Sequence, residues 1–200
     1  MDLGLKPFHH SGSGHSLDDR RSAWRVRTGV GDGVQEHWSP ITAPIYALLE
    51  GLFLGGISAF FEKSYPGIAV QAIGLTFGVL FVLLLAYKTG LVRATRGFKL
   101  GVIAATGAIA LVYLANIVMG AFFHSQISIL YSSTPLGIGI SVVVVIIAAL
   151  NLVLDFDMIE TGSRMGAPKY MEWYGAFAMM VTLIWSYLEI LRLLSKTRRR

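Results

Sequence analysis

The sequence predicts an all-α protein, a bundle of five helices that cross a membrane. Three observations carry this reading. Only 14% of the 200 residues are charged and 54% are hydrophobic, whereas a soluble domain carries roughly 25% charged residues. The charge is unevenly placed: residues 1–38 are polar and basic, and most of the chain beyond them falls into long apolar runs. Those runs are about 20 residues or longer, enough to cross roughly 30 Å of hydrocarbon at a rise of 1.5 Å per residue. They are too long for strands and do not alternate, and a helix satisfies its own backbone groups in lipid.

Residues 1–38 hold no apolar run of the kind a cleavable signal peptide needs. They are rich in Gly, Ser, His and Arg and are expected to form a disordered basic tail. His9, His10 and His15 lie there without carboxylate or Cys partners and read as tail residues, not as a metal site. The transmembrane domain is expected over 39–196. Its first span is 41–61, broken by Glu62, Lys63, Tyr65, Pro66 and Gly67. The second is 67–87, closed by Lys88, and the third is 100–123. The fourth is 135–158, where Pro135 suits a first helical turn. The fifth is 172–194, closed by Lys196, with 197–200 as a second basic tail.

The net charge of +5 sits largely in connections and tails. Positive loops at a lipid surface account for it, and no nucleic-acid partner is expected. Arg21, Arg25, Arg27, Lys88, Arg93, Arg96, Lys99, Arg164 and Lys169 fall on one side of the membrane. Lys63 and the C-terminal cations fall on the other. The larger group places the N-terminus in the cytoplasm of a cell whose membrane the chain crosses several times, and the terminal Arg198, Arg199 and Arg200 oppose that orientation.

The chain has no Cys, which excludes a thiol nucleophile and a thiolate metal site. No His lies within a span, so a Ser–His hydrolase has no candidate base. Asp155 and Asp157 are two apart, the wrong spacing for metal ligands on one helical face. No enzyme activity and no cofactor are expected. Gly51 and Gly55, like Gly74 and Gly78, stand four apart, a spacing that lets helix backbones approach. Packing within the monomer is the plain reading of these pairs and dimerisation the other.

Polar residues within the spans are the candidate functional residues, because each is costly in hydrocarbon. Glu50 lies about 13 Å into the first span, near the midplane. Thr182 reaches a similar depth in the fifth, and Thr182, Ser186 and Glu189 repeat at four and three residues, on one face. Tyr113 and Asn116 lie in the outer half of the third. The stretch "ALNLVLDFDMIETGS" ends the fourth span with Asn151, Asp155 and Asp157. Asn151 and Asp155 share a face, while Asp157 is about 200° away from Asp155, so at most one Asp faces the interior. A carboxyl at a helix C-terminus and away from water is poised to change its charge with pH. The plainer reading leaves both Asp solvated among headgroups, near Arg164 or Lys169.

The stretches "YALLEGLFLGGIS" (46–58), "YPGIAVQA" (65–72), "FD" within "LDFDMIE" (154–160) and "YLEILRLL" (187–194) resemble the bacterial branch of the Bax inhibitor-1, or transmembrane Bax inhibitor motif, family. The resemblance covers roughly residues 40–196. It implies a bundle packed around a central C-terminal helix and a calcium leak gated by protonation of an Asp pair on the last two helices. Some bacterial members instead restrain a membrane-bound protease. On this resemblance Asp157 matches the first Asp of the pair and Glu50 an acidic residue of the family's third helix. The second Asp falls near Thr182, so the two-carboxylate sensor is not intact. Two of seven family helices are absent, including the one with an Arg held to latch the pore, and the polar residues 1–38 stand in their place. The resemblance thus carries the expectation of a truncated or misread N-terminus. Two function classes remain open: a pH-sensitive leak for calcium or another cation, and a non-transporting regulator that binds other membrane proteins.

Overall fold

The computed structural model describes residues 39–123 and 127–199. The expected tail 1–38, with its His residues, lies outside them, as does His124. Five helices succeed one another along the chain: α1 Ser39–Ser64, α2 Ile68–Lys88, α3 Arg96–Phe123, α4 Pro135–Arg164 and α5 Tyr170–Arg198. A 3₁₀ turn, Ser128–Leu130, lies between α3 and α4. All five are long and apolar enough to cross a membrane. The chain is an all-α, multi-pass transmembrane bundle.

Most helices run past the apolar stretches that predict them. α4 continues six residues beyond Met158, where Arg164 and Glu160 pair one turn apart. α5 begins at Tyr170 and continues through Thr197 and Arg198, so half of the expected 197–200 tail is helical. Polar residues can extend a helix beyond the hydrocarbon because its backbone bonds are internal. The corner between α1 and α2 is tied by Glu62. Its carboxylate accepts from the backbone N–H of Gly67 and, at 3.1 Å, from that of Ala69, covering free donors at the start of α2. Gly67 itself turns the chain at φ +79°, a conformation that suits glycine.

α4 and α5 run antiparallel as the central pair, with α2 against both and α3 against α4. α4 buries Val144, Ala148, Ala149, Leu152, Val153 and Phe156. Ile68 and Ala72 of α2 meet Tyr187, Ile190 and Leu191 of α5 in a core cluster. α1 is different: its backbone makes no close approach to another helix, and side chains alone bridge the gap. Ser58 shares a 2.6 Å hydrogen bond with Tyr187, and Tyr46 meets Phe177 edge-on at 5.0 Å. Large apolar side chains of α1, α2 and α3 face outward, as lipid permits.

Among the described residues nothing packs closely on the GxxxG pairs. A Cβ built on Gly51, Gly55, Gly74 or Gly78 would meet nothing within 4 Å. The expectation of close contacts within the monomer is therefore corrected: these faces look outward.

The bundle has two ends. The first gathers Lys88, Arg96, Lys99, Arg164 and Tyr170, joined by bonds from Lys99 to Asp157 and Tyr87 to Glu160. The second gathers Ser64, Ile68, Pro135 and Arg198, joined by Arg198 to the Pro66 carbonyl at 2.7 Å and Gln71 at 2.9 Å.

Candidate functional site

Thr182, Ser186, Glu189 and Lys196 recur at four, three and seven residues along α5, so helical geometry stacks them on one face. That face turns toward α3 and α4 and gathers a line of polar groups inside the bundle. Nearest the first end, Asp155 of α4 has Thr182 as its side-chain hydrogen-bond neighbour. Its Oδ2 is buried with no hydrogen-bond partner among the described residues. One turn deeper, Asn151 donates at 2.8 Å to Thr106 of α3 and at 2.8 Å to the Ile147 carbonyl. Ser186 is fully buried and its Oγ also lacks a partner among the described residues.

Glu189 lies farther along, 2% exposed. It accepts from the Tyr113 hydroxyl at 2.8 Å and from Arg192 Nη1 at 3.2 Å to each oxygen. Arg192 also donates to the Tyr113 oxygen, and its guanidinium sits 5.1 Å from the centre of that ring. A buried carboxylate in lipid is tolerated on these terms, paired and hydrogen-bonded. Closest to the second end, the buried Lys196 donates to Ser141 Oγ at 2.7 Å and to the Gly137 carbonyl at 3.2 Å. No carboxylate among the described residues pairs with it.

Of the sequence-predicted residues, Asp155, Asn151, Thr182 and Glu189 are brought into this line. Asp157 and Glu50 are not. Asp157 pairs with Lys99 of α3, not with Arg164 or Lys169. Arg164 is bound to Glu160. Glu50 has Tyr46, one turn back on α1, as its hydrogen-bond neighbour. No hydrogen bond or ion pair among the described residues joins Glu50 to Asp157. The physical reason is the helical sweep between Asp155 and Asp157, which sends one inward and the other to the flank. For Glu50 the reason is the stand-off of α1.

Sequence reasoning missed Arg192, Lys196 and Ser141. Lys196 reads in sequence as the cation that closes a span. The available signal was periodic: Glu189, Arg192 and Lys196 continue the Thr182 stripe at three and four residues. Asn116, placed by sequence in the outer half of α3, ties down the chain before α4, donating to Tyr131 at 2.9 Å and accepting from the Ile127 N–H at 2.9 Å. Among the described residues no three His or acidic side chains cluster as metal ligands.

A family model, described as Bax inhibitor 1 like, matches residues 32–199. The chain belongs to that family. Comparisons with curated proteins and with solved structures found no match. In this Bax inhibitor 1 like protein the carboxyl that faces Thr182 is Asp155, whereas the resemblance places Asp157 in that role. A member with a single carboxyl and a hydroxyl at this level cannot share one proton between two acids, but the hydroxyl can hydrogen-bond the acid in either charge state.

Proposed function

We propose that this Bax inhibitor 1 like protein is a pH-sensitive leak for calcium or another small cation, with the interior polar line as its route. The observation that supports the reading is Asp155: an acid between α4 and α5 with one oxygen buried and unsatisfied. An unsatisfied buried acceptor is costly, and a functional load is one reason a protein keeps one. Asn151, Ser186 and Glu189 continue from it at successive turns. In this conformation the line is closed, packed around the fully buried Leu152, Val153 and Ser186. A leak therefore requires α4 and α5 to part, and a change of charge at Asp155 is the trigger we assign.

The test is reconstitution in liposomes loaded with a calcium dye, assayed over a range of pH. The wild-type chain leaks, Asp155→Asn removes the pH dependence, and Asp157→Asn retains it. A pH-independent wild type, or equal loss in both variants, refutes the assignment.

A second reading has its own support. The outward Gly51 and Gly55 of α1 offer a small-residue face that none of the described residues covers. A non-transporting regulator that docks another membrane protein, such as a membrane protease, would use such a face. Silent liposomes together with co-purification of a membrane protease favour it. For orientation we propose a cytoplasmic first end. Two of the cations that oppose this, Lys196 and Arg198, are engaged by Ser141 and by Pro66 and Gln71. Tags at each terminus probed from outside the cell check it.

A further inference from the structure

Between α1 and α5 lies a cleft of about 610 Å³, left by the stand-off of α1. Its walls are apolar: Leu52, Phe53, Gly56 and Phe60 on one side and Leu188 on the other, with Arg192 as the one charged residue of its lining. Leu52, Phe53 and Phe60 are each more than half exposed, so the cleft opens to the surrounding lipid. Arg192 lies six residues before the end of α5, about 9 Å along the axis. With a helix of 29 residues centred on the bilayer, that is close to the boundary between hydrocarbon and headgroups.

The charges at this level do not balance. At this end of the bundle the described carboxylates are Glu62 and Glu189, against the cations Lys63, Arg192, Lys196, Arg198 and Arg199. A local excess of cations at the edge of hydrocarbon favours an added anion. The bonds Arg192 makes to Glu189 and Tyr113 all leave from Nη1, so Nε and Nη2 retain donors for an acceptor in the cleft. A planar guanidinium fork of this kind matches a phosphate bidentately.

We infer that the α1–α5 cleft binds one anionic phospholipid, its acyl chain lying along Phe53 and Phe60 and its phosphate on Arg192. The lipid supplies the missing negative charge and fills the volume that α1 leaves open.

Native mass spectrometry of the detergent-solubilised full chain tests this, with phosphatidylglycerol and phosphatidylcholine of identical chains titrated separately. The first phosphatidylglycerol adduct forms at roughly ten-fold lower concentration: both headgroups offer a phosphate to Arg192, but the choline cation of phosphatidylcholine cancels the added negative charge and is repelled by the cations of this end. Arg192→Gln removes that preference. Gly56→Leu weakens the first adduct of both lipids by filling the cleft and changes neither Arg192 nor Glu189; a Cβ at Gly56 meets nothing within 4 Å, and Leu is a better helix former than Gly. If Arg192→Gln does not fold, the wild-type contrast between the two lipids and the effect of Gly56→Leu decide together. Equal binding of the two lipids by the wild type overturns the inference, as does a first adduct indifferent to Gly56→Leu. A stable dimer that takes up no lipid at this level also overturns it, because a second copy then occupies the cleft. None of these readouts depends on ion leak.

Discussion

Lys196 of α5 donates to Ser141 of α4 at 2.7 Å, and both side chains are buried. The ammonium has oxygen acceptors but no carboxylate partner among the described residues, so the hydroxyl carries much of its solvation. Ser141→Ala is therefore expected to lower stability by roughly 1–3 kcal/mol, the cost of an orphaned donor. Lys196→Met, which removes charge and donor together at similar volume, is expected to be neutral or stabilising. Thermal unfolding of the two variants in the same detergent checks the contrast; an equal loss in both contradicts it.

The Tyr113, Glu189 and Arg192 cluster joins α3 to α5, although those two backbones do not touch closely. Members of one hydrogen-bonded network do not contribute additively. A double-mutant cycle of Tyr113→Phe and Glu189→Gln is expected to give a coupling of roughly 0.5–3 kcal/mol. Unfolding measurements on the four proteins supply it, and a coupling of zero shows that the contact does not hold α3.

The Lys99–Asp157 pair is partly exposed, at 41% and 21%. Such pairs contribute little, about 0–1 kcal/mol. Lys99→Gln and Asp157→Asn are each expected to leave the unfolding midpoint nearly unchanged, and to remove the small salt dependence that the pair confers. A large loss in either variant would assign Asp157 a deeper structural role than its surroundings indicate.

Two glycines are expected to respond in opposite directions. A Cβ on Gly175 would sit 2.9 Å from Ile159 Cγ1, so Gly175→Ala must push α5 from α4 or displace Ile159. Overpacking of this kind costs typically about 1–3 kcal/mol. Gly55 faces open space, and Gly55→Ala is expected to stabilise α1 by up to about 1 kcal/mol through helix propensity. Loss of a co-purifying partner in Gly55→Ala, with stability intact, would support the docking reading.

The number, order and approximate limits of the helices were legible because lipid imposes one length and one backbone solution on every span. The apolar run 135–158 became α4, and its extension to Arg164 escaped notice because polar residues after a span look the same in a loop and in a helix. The stripe Thr182, Ser186, Glu189 was legible for the same geometric reason, since period alone places three residues on a face. Partners were not legible. Asp157 and Lys99 are 58 residues apart, and nothing local to either marks the other. Depth placed Glu50 near the midplane but was silent on direction, and direction decides whether an acid lines a route. Arg192 was overlooked because one cation near the end of a span is ordinarily free to reach water.

α5 comes after the other helices in the chain, yet it is the one against which α2 and α4 close and to which the side chains of α1 and α3 reach. Without it, Glu62 can clip the first corner and Tyr87–Glu160, Lys99–Asp157 and Asn151–Thr106 can tie α2 and α3 to α4, but Ser141 lacks Lys196 and Tyr113 lacks Glu189. The last segment of the bundle is thus the one that locks it: α5 closes the core over Ile68 and Ala72 and brings the partners of Ser141 and Tyr113.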